Sequence, residues 1–354
     1  MQYILIGLSV FAAIIPMILF LGVVWWLDRY DREPIWMVVL TFFWGSIGGA
    51  GLSLFGNTTI HMILASIFGE ATAGQITPVV VAPLVEEPTK ALILLLVMRS
   101  RYFDNATDGF VYGAAAGLGF GMTENFLYFS NVAGLANIDV AHGVATWLST
   151  VGIRTFYSAL LHATCSSIIG ATLGLTKFRS IFMKLSIVPV GIVIAIVIHG
   201  LWNGLLTAEE AGVGDGKLFI GNLILFPLEM LTTFAVFQLS LWSEKRILVS
   251  ELLDEVKRGT LPAEHVAKIC SYLARISGRW APAGVPQEAY TKAATTLAMR
   301  KHQSRHTTGD TQAQLKQDVE RLRREVAGIL SMVTAAKDAM PETPAGHKES
   351  PPQT

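Results

Sequence analysis

The chain has 354 residues, of which 52% are hydrophobic and only 15% charged, and its mean hydropathy is +0.48. These values exclude an ordinary soluble domain and indicate a chain whose solvent is lipid. Lys plus Arg and Asp plus Glu number 27 each, so the charge balance predicts no nucleic-acid partner. Two cysteines, Cys165 and Cys270, are too few for a disulfide framework.

Seven apolar stretches are long enough to cross a bilayer, which requires about 20 residues per helix. They cover residues 3–27, 35–55, 76–98, 109–132, 151–176, 185–206 and 218–242. A further apolar stretch, 58–68, is too short to span, and whether it inserts stays open. The sequence therefore predicts an all-α polytopic transmembrane helix bundle of seven or eight spans, with a helical tail.

Basic residues are concentrated in alternate loops. Those loops contain Arg29, Arg32, Arg99, Arg101, Lys177, Arg179 and Lys184. Because short cytoplasmic loops carry an excess of Lys and Arg, the pattern predicts an N-terminus outside and a C-terminus inside. We expect a multi-pass protein of the inner (plasma) membrane.

The character of the chain changes after the last span. Residues 1–242 are predicted to form the transmembrane domain, 243–340 a cytoplasmic helical tail and 341–354 a disordered end rich in Pro, Glu and Ser. Apolar residues repeat in steps of four and three at Leu315, Val319, Leu322, Val326, Ile329 and Val333. This heptad pattern favours either self-association through residues 315–333 or packing of the helix on the tail or membrane surface.

Ionisable and amide side chains occur inside four consecutive spans, where each is costly and therefore a functional hypothesis. They are Glu86, Glu87 and Lys90 in span three, Glu124 and Asn125 in span four, His162 in span five, and His199 and Asn203 in span six. Counting from the outer end of each span at about 1.5 Å per residue places Glu86, Glu124, His162 and His199 roughly 10–17 Å deep. The sequence thus predicts one shared polar cavity that opens to the outer side.

Glutamates and histidines at one depth supply the groups that peptide hydrolysis requires, a base for water and donors for an oxyanion. Glu86 and Lys90 are an i, i+4 pair that can neutralise each other, and His199 and Asn203 share a helical face as two donors. The same residues suit the proton relay of a proton-coupled transporter. Transporters commonly contain inverted repeats, and the sequence contains no second copy of the glutamate motif.

Five short motifs occur in order along residues 1–245. They are Asp28-Arg29-Tyr30-Asp31-Arg32-Glu33-Pro34, Glu86-Glu87-Pro88-Thr89-Lys90, Phe120-Gly121-Met122-Thr123-Glu124-Asn125, His162, and His199-Gly200-Leu201-Trp202-Asn203. Together they resemble the signatures of PrsW-type intramembrane proteases, which are similar in turn to CAAX prenyl proteases and bacteriocin-immunity-type membrane proteins. The tail lies outside the resemblance.

The resemblance implies an intramembrane endopeptidase that cuts a membrane-anchored protein or peptide substrate, as PrsW proteins cut anti-sigma factors, near the extracytoplasmic side. It suggests Glu86 as the base, Glu87 or Glu124 as its assistant, and His199 with Asn203 as oxyanion donors. Lys90, Asn125 and Phe120 would support them, and His162 would be a further polar or metal-binding contact. Prenyl proteases have a His where this chain has Glu124, so that role does not transfer directly. A non-catalytic membrane binding protein of the same fold is the third hypothesis.

The metal requirement is open from sequence. His162 and His199, with one or two glutamates, can bind Zn²⁺. No two of these histidines share a helical turn, however, and this spacing favours a glutamate mechanism without a cofactor.

Overall fold

The computed structural model describes residues 1–28, 30 and 32–338, which contain helices and no strands. The helices are α1 (Gln2–Leu27), α2 (Ile35–Phe68), α3 (Glu70–Ile76), α4 (Ala82–Val97), α5 (Ala106–Val132), α6 (Val140–Thr176), α7 (Ile181–Glu210), α8 (Lys217–Lys257), α9 (Ala263–Ile269), α10 (Tyr272–Ile276), α11 (Gln287–Arg305) and α12 (Gly309–Asp338). The predicted all-α polytopic bundle is confirmed. The predictions for Arg29, for Asp31 and for the disordered end 341–354 fall outside the described residues.

Five of the described helices are long and apolar enough to cross a membrane, namely α1, α2, α6, α7 and α8. They make the chain a multi-pass membrane protein, while the number of seven or eight spans stays a prediction. The stretch 58–68 is not a separate segment, because α2 continues through it as far as Phe68. Gly69 then ends α2 with a φ of 83°, a conformation that favours glycine.

Several helices contain π-helical turns, which occur at Trp44–Gly49 inside α2, at Arg154–Ser158 inside α6, and at Thr77–Val81 between α3 and α4. A 3-10 turn, Ala133–Asn137, follows α5. Such π turns are frequent at functional sites because they displace one residue from the regular ladder of hydrogen bonds.

The α5 helix is the most enclosed helix of the bundle, and every residue from Ala106 to Gly121 is buried. It begins with a capping box in which the Asn105 side chain accepts from the Asp108 amide and Asp108 accepts from the Asn105 amide. Glycines allow α5 and α6 to touch through their backbones. A Cβ on Gly113 would overlap the carbonyl oxygen of Ser166, and one on Gly117 would overlap that of His162. This is the close packing that small residues permit in lipid, and it fixes the height of His162.

The described residues form two compact units, Met1–Arg246 and a second unit that starts at Ile247. In the second unit, α12 packs on α11 and buries Leu315, Val319, Leu322 and Val326. These four residues of the stripe thus pack within one chain, and self-association through residues 315–333 stays a prediction. The side chain of Val333 is outside the described part.

A charged cluster also lies inside the second unit. Lys301 Nζ is 2.5 Å from Asp254 and 2.7 Å from Glu255, and Arg323 donates two hydrogen bonds of 2.8 Å to Glu255. Burial alone would raise the pKa of the Glu255 carboxyl, but hydrogen bonds from Arg323, Lys301 and Thr260 outweigh it and lower the pKa to about 2.

Candidate active site

Three helices bring ionisable side chains together in the interior of the first unit. Glu86, Glu87 and Lys90 come from α4, His162 from α6 and His199 from α7. All five are buried, with Glu86 the most exposed at 7%. Lys90 and His162 are separated by 72 residues, and Glu87 and His199 by 112, so only tertiary packing can assemble this group.

Glu87 orients two of its neighbours. Its Oε1 accepts from Lys90 Nζ at 2.7 Å and from His199 Nδ1 at 2.7 Å. An ionised carboxylate can only accept, so the proton of His199 resides on Nδ1 and the lone pair is on Nε2. A carboxylate behind a histidine in this way is the usual arrangement around a metal-binding imidazole.

The two oxygens of the Glu86 carboxylate have different surroundings. Oε1 accepts from Asn57 Nδ2 at 3.1 Å, whereas Oε2 is buried and has no hydrogen-bond partner among the described residues. His199 Nε2 and Lys90 Nζ each lie 3.8 Å from Oε2. Glu86 therefore presents one unsatisfied oxygen to the lone pair of His199.

His162 lies between a cation and an anion. Lys90 Nζ is 2.9 Å from Nδ1, and Glu124 Oε2 is 2.6 Å from Nε2. Because an ammonium only donates, the lone pair is on Nδ1 and the Nε2 proton is donated to Glu124. The Phe120 ring lies 5.1 Å from the imidazole, and Lys90 Nζ lies 4.1 Å above that ring.

Glu124 forms the accessible edge of the site, with a side chain that is 25% exposed. Arg154, in the π turn of α6, pairs with Glu124 Oε2 at 2.7 Å and donates from Nε to the Asn125 oxygen at 3.2 Å. The Arg154 guanidinium also stacks 3.6 Å from the centre of the Tyr128 ring. Asn125 therefore holds Arg154, and Arg154 holds Glu124.

Asn203 differs from its predicted position. Its Nδ2 donates to the Pro78 carbonyl at 2.9 Å instead of joining the group around His199. The π turn explains why: Ala82 N–H bonds to Thr77, and the next donor in that register would be Pro83, which has no N–H. Asn203 supplies the missing hydrogen bond, so its partner is backbone.

A metal ion fits the geometry of this site. One ligand atom each from Glu86, His162 and His199 lie within 4.8 Å of one another, and two of the three candidate atoms, Glu86 Oε2 and His199 Nε2, accept no hydrogen bond. Carboxylate and imidazole are a common ligand set for a catalytic zinc. The sequence argument against a metal relied on local spacing, whereas packing brings these ligands from separate helices.

Two residues of the site were not singled out from sequence. Asn57, which holds Glu86, lies between the predicted stretches 35–55 and 58–68 and so belongs to neither. Arg154 lies inside the predicted span 151–176, where its charge is a usable signal.

A multi-pass helical protein with a buried Glu, His and His group, oriented by further carboxylates, has the features of a membrane-embedded hydrolase with a metal-binding site. Residues 33–232 match the family model described as "PrsW family intramembrane metalloprotease". The chain belongs to this family.

Three relatives named Protease PrsW support this assignment. The protein from Bacillus subtilis is 29% identical over 204 residues, which are 56% of this chain and 82% of that protein. Those from Geobacillus kaustophilus and Clostridioides difficile are 28% and 29% identical, again over 56% of this chain and over 80% and 78% of their own lengths. No solved structure matches the chain. The chain is an intramembrane protease, and the transporter hypothesis is not carried forward.

Proposed function

We propose that the chain cleaves a membrane-anchored, anti-sigma-factor-like protein near the extracytoplasmic side of the inner membrane. The observation that carries this proposal is the convergence of Glu86, His162 and His199 from three helices on one buried point. The predicted orientation, with the N-terminus outside, places that point in the outer half of the bilayer.

His162 and His199 are proposed to hold a divalent cation, with zinc the first choice, while Glu86 Oε2 lies beside them as the base. When bound, it would supply Lewis acidity at the scissile carbonyl. Glu87 keeps the lone pair of His199 directed inward by accepting the Nδ1 proton. Glu124 accepts the Nε2 proton of His162, so a cation bound at Nδ1 would have to displace the Lys90 ammonium from that lone pair.

Glu86 is proposed as the group that accepts a proton from the attacking water. Its Oε2 faces the lone pair of His199, and the Lys90 ammonium at 3.8 Å balances its charge. Asn57 fixes the other oxygen, so Oε2 is presented in one direction. Asn203 becomes a positioning residue that supports the turn before α4.

The test is cleavage of a single-pass anti-sigma-factor-type reporter, labelled at both ends and reconstituted in liposomes with the full chain. Glu86→Gln should lower the rate at least about a hundredfold, because a neutral amide is not a base. Glu210→Gln, the same change at an exposed position, is the matched control and should cleave normally.

Two results would contradict the proposal. Retention of more than about a tenth of wild-type activity by Glu86→Gln would remove Glu86 as the base. If wild type cleaves no anti-sigma-factor-type reporter, the proposed substrate class would be wrong.

A further inference from the structure

Another carboxylate is buried in the membrane-embedded unit and has no part in the site described above. Glu229 on α8 is 7% exposed, and its Oε1 has no hydrogen-bond partner among the described residues. Thr164 is a polar neighbour, and no charged side chain in the described part of the chain acts on the carboxyl. An unpaired carboxyl at this depth costs free energy, so it requires an explanation.

Glu229 lines a cavity of about 130 Å³. The other lining residues are Leu161, Ile198, Leu201, Trp202, Leu225, Leu228 and Thr232. The walls are thus apolar, with Glu229 and Thr232 as the polar positions. Its volume approaches the roughly 150 Å³ of a cavity that admits benzene, so it has room for much of a side chain.

The composition of the walls discriminates between occupants. Buried water requires two to four polar partners per molecule, and these walls offer too few for the several waters that would fill the volume. A wholly apolar group would match the leucines and leave Oε1 unsatisfied. An apolar stem that ends in a cation matches both the walls and the carboxylate, as lysine and arginine side chains do when their stems are buried.

The cavity is adjacent to the proposed site. Leu161 precedes His162, and Ile198 precedes His199. Leu161 and Trp202 belong to one apolar core cluster. A group in this cavity is therefore within a few residues, along an extended substrate, of a bond held at His162 and His199.

We propose that this cavity is a substrate subsite for a basic side chain of the membrane-anchored substrate, with Glu229 as its specificity-determining residue. The inference rests on the proposed function, since it concerns the substrate of the same site. It assigns the subsite a lysine-like group with an unbranched apolar stem and a positive tip.

The first experiment measures kcat/KM in proteoliposomes for reporters that differ at one position near the cleaved bond. In each set of reporters, one residue near the cleaved bond is Lys, Met or Glu and the rest of the sequence is constant. Wild type should prefer Lys over Met at least about tenfold at one position, because Met cannot reach Glu229 with a donor. Glu229→Gln should abolish that preference, Glu229→Lys should favour Glu instead, and Glu210→Gln should retain the wild-type preference.

Absence of a Lys preference at every position, or its persistence in Glu229→Gln, would overturn the proposal. If the Glu229 variants lose all cleavage, a second measurement that does not require catalysis tests the same proposal.

Thr232→Cys places a thiol in the cavity of the full chain. The rate at which this thiol is modified is measured with cationic aminoethyl methanethiosulfonate and with neutral methyl methanethiosulfonate.

The ratio of cationic to neutral modification rates should fall at least about tenfold when Glu229→Gln is added to Thr232→Cys. An unchanged ratio would show that Glu229 does not attract a cation and would refute the subsite. If no reporter is cleaved by wild type, the proposed function fails, and the thiol ratio still decides whether the cavity binds a positive tip.

Discussion

The ionised side chains of the site carry more negative than positive charge. Glu86, Glu87 and Glu124 contribute three carboxylates, and Lys90 and Arg154 contribute two cations. Buried charges are normally paired, so one further positive charge is expected when both histidines are neutral. A bound divalent cation would supply two, so the occupied site would carry one net positive charge.

Elemental analysis of the purified full chain tests this expectation. Wild type should contain close to one zinc per chain, and His199→Ala should lose at least about tenfold in zinc affinity, because a ligand is removed. Asn203→Ala is the comparison, since Asn203 contacts backbone and should leave the zinc content unchanged.

The opposite pattern would restore the glutamate mechanism without metal. That is, a zinc-free chain that cleaves its reporter and resists chelators would show that Glu86, His162 and His199 act without a cation. Zinc in Glu86→Gln is also informative, because retention would make Glu86 a base and not a ligand.

The sequence predicts which residues meet at the site, but it does not predict all of their hydrogen-bond and ion-pair partners. Glu86, Glu87, Lys90, Glu124, His162 and His199 were found because charge in lipid is costly and because their depths agree. The partner of Asn203 could not be predicted, since it depends on a π turn followed by Pro83. The charge of Arg154 inside an apolar stretch is visible in the sequence, but its partners depend on the π turn of α6.

At the level of elements, the contact between α5 and α6 determines where His162 lies. Gly117→Ala should push the helices apart, because the added Cβ would overlap the His162 carbonyl. Overpacking of this kind typically costs about 1–3 kcal/mol, and a shift of His162 should also reduce cleavage. Thermal unfolding in detergent and the reporter assay measure the two effects.

Gly152→Ala is the matched control, because it is also in α6 and its Cβ would meet nothing within 4 Å. It should unfold and cleave like wild type. Equal behaviour of Gly117→Ala and Gly152→Ala would mean that the bundle adjusts freely and that backbone contact does not position His162.

In the second unit, the charged cluster around Glu255 predicts a dependence on acid. The pKa of Glu255 is about 2 in the folded unit, below its ordinary value of 4.5, so the carboxylate stabilises the fold fully above pH 4.5. That contribution should be lost progressively as the pH falls from about 4.5 to about 2. Cys270, which is buried, reports the loss through its rate of reaction with dithiodipyridine, measured in a Cys165→Ser background.

The reaction of Cys270 should accelerate on acidification in wild type and in Glu264→Gln, an exposed control. Glu255→Gln should react faster above about pH 4.5, approach the wild-type rate near pH 2, and show a weaker pH dependence, since the titrating group is gone. A wild-type rate that stays constant down to pH 3 would contradict the assignment.

The elements themselves were largely predictable. Long apolar runs gave the helices of the bundle, and the heptad pattern gave α12. The stripe of Leu315, Val319, Leu322 and Val326 was read equally well as a dimer seam, because periodicity identifies a buried face and not the surface that covers it. The length of α2 was missed, since Asn57, Thr58 and Thr59 interrupt its apolar run.

For the whole molecule, the orientation in the membrane is the main prediction that awaits measurement. Cysteines placed at Gly74 and Gly214 should react with an impermeant reagent from outside, and one at Arg101 should not, because basic loops remain cytoplasmic. Both native cysteines are buried, so their background labelling should be low. The reverse pattern would put the cleavage site in the cytoplasmic half and remove an extracytoplasmic substrate.

The distribution of partners along the chain also affects how the protein enters the membrane. The α4 helix is not among the five described helices that are long and apolar enough to cross a membrane, and each charge at a helix centre costs about 2.5–3.5 kcal/mol during insertion. His199, the partner of Glu87, is made 112 residues later. At a synthesis rate of roughly 5–20 residues per second, His199 is added to the chain about 6–22 s after Glu87. We therefore expect the insertion of α4 to be completed late, together with that of α7. The active site then forms only after the ribosome has added His199.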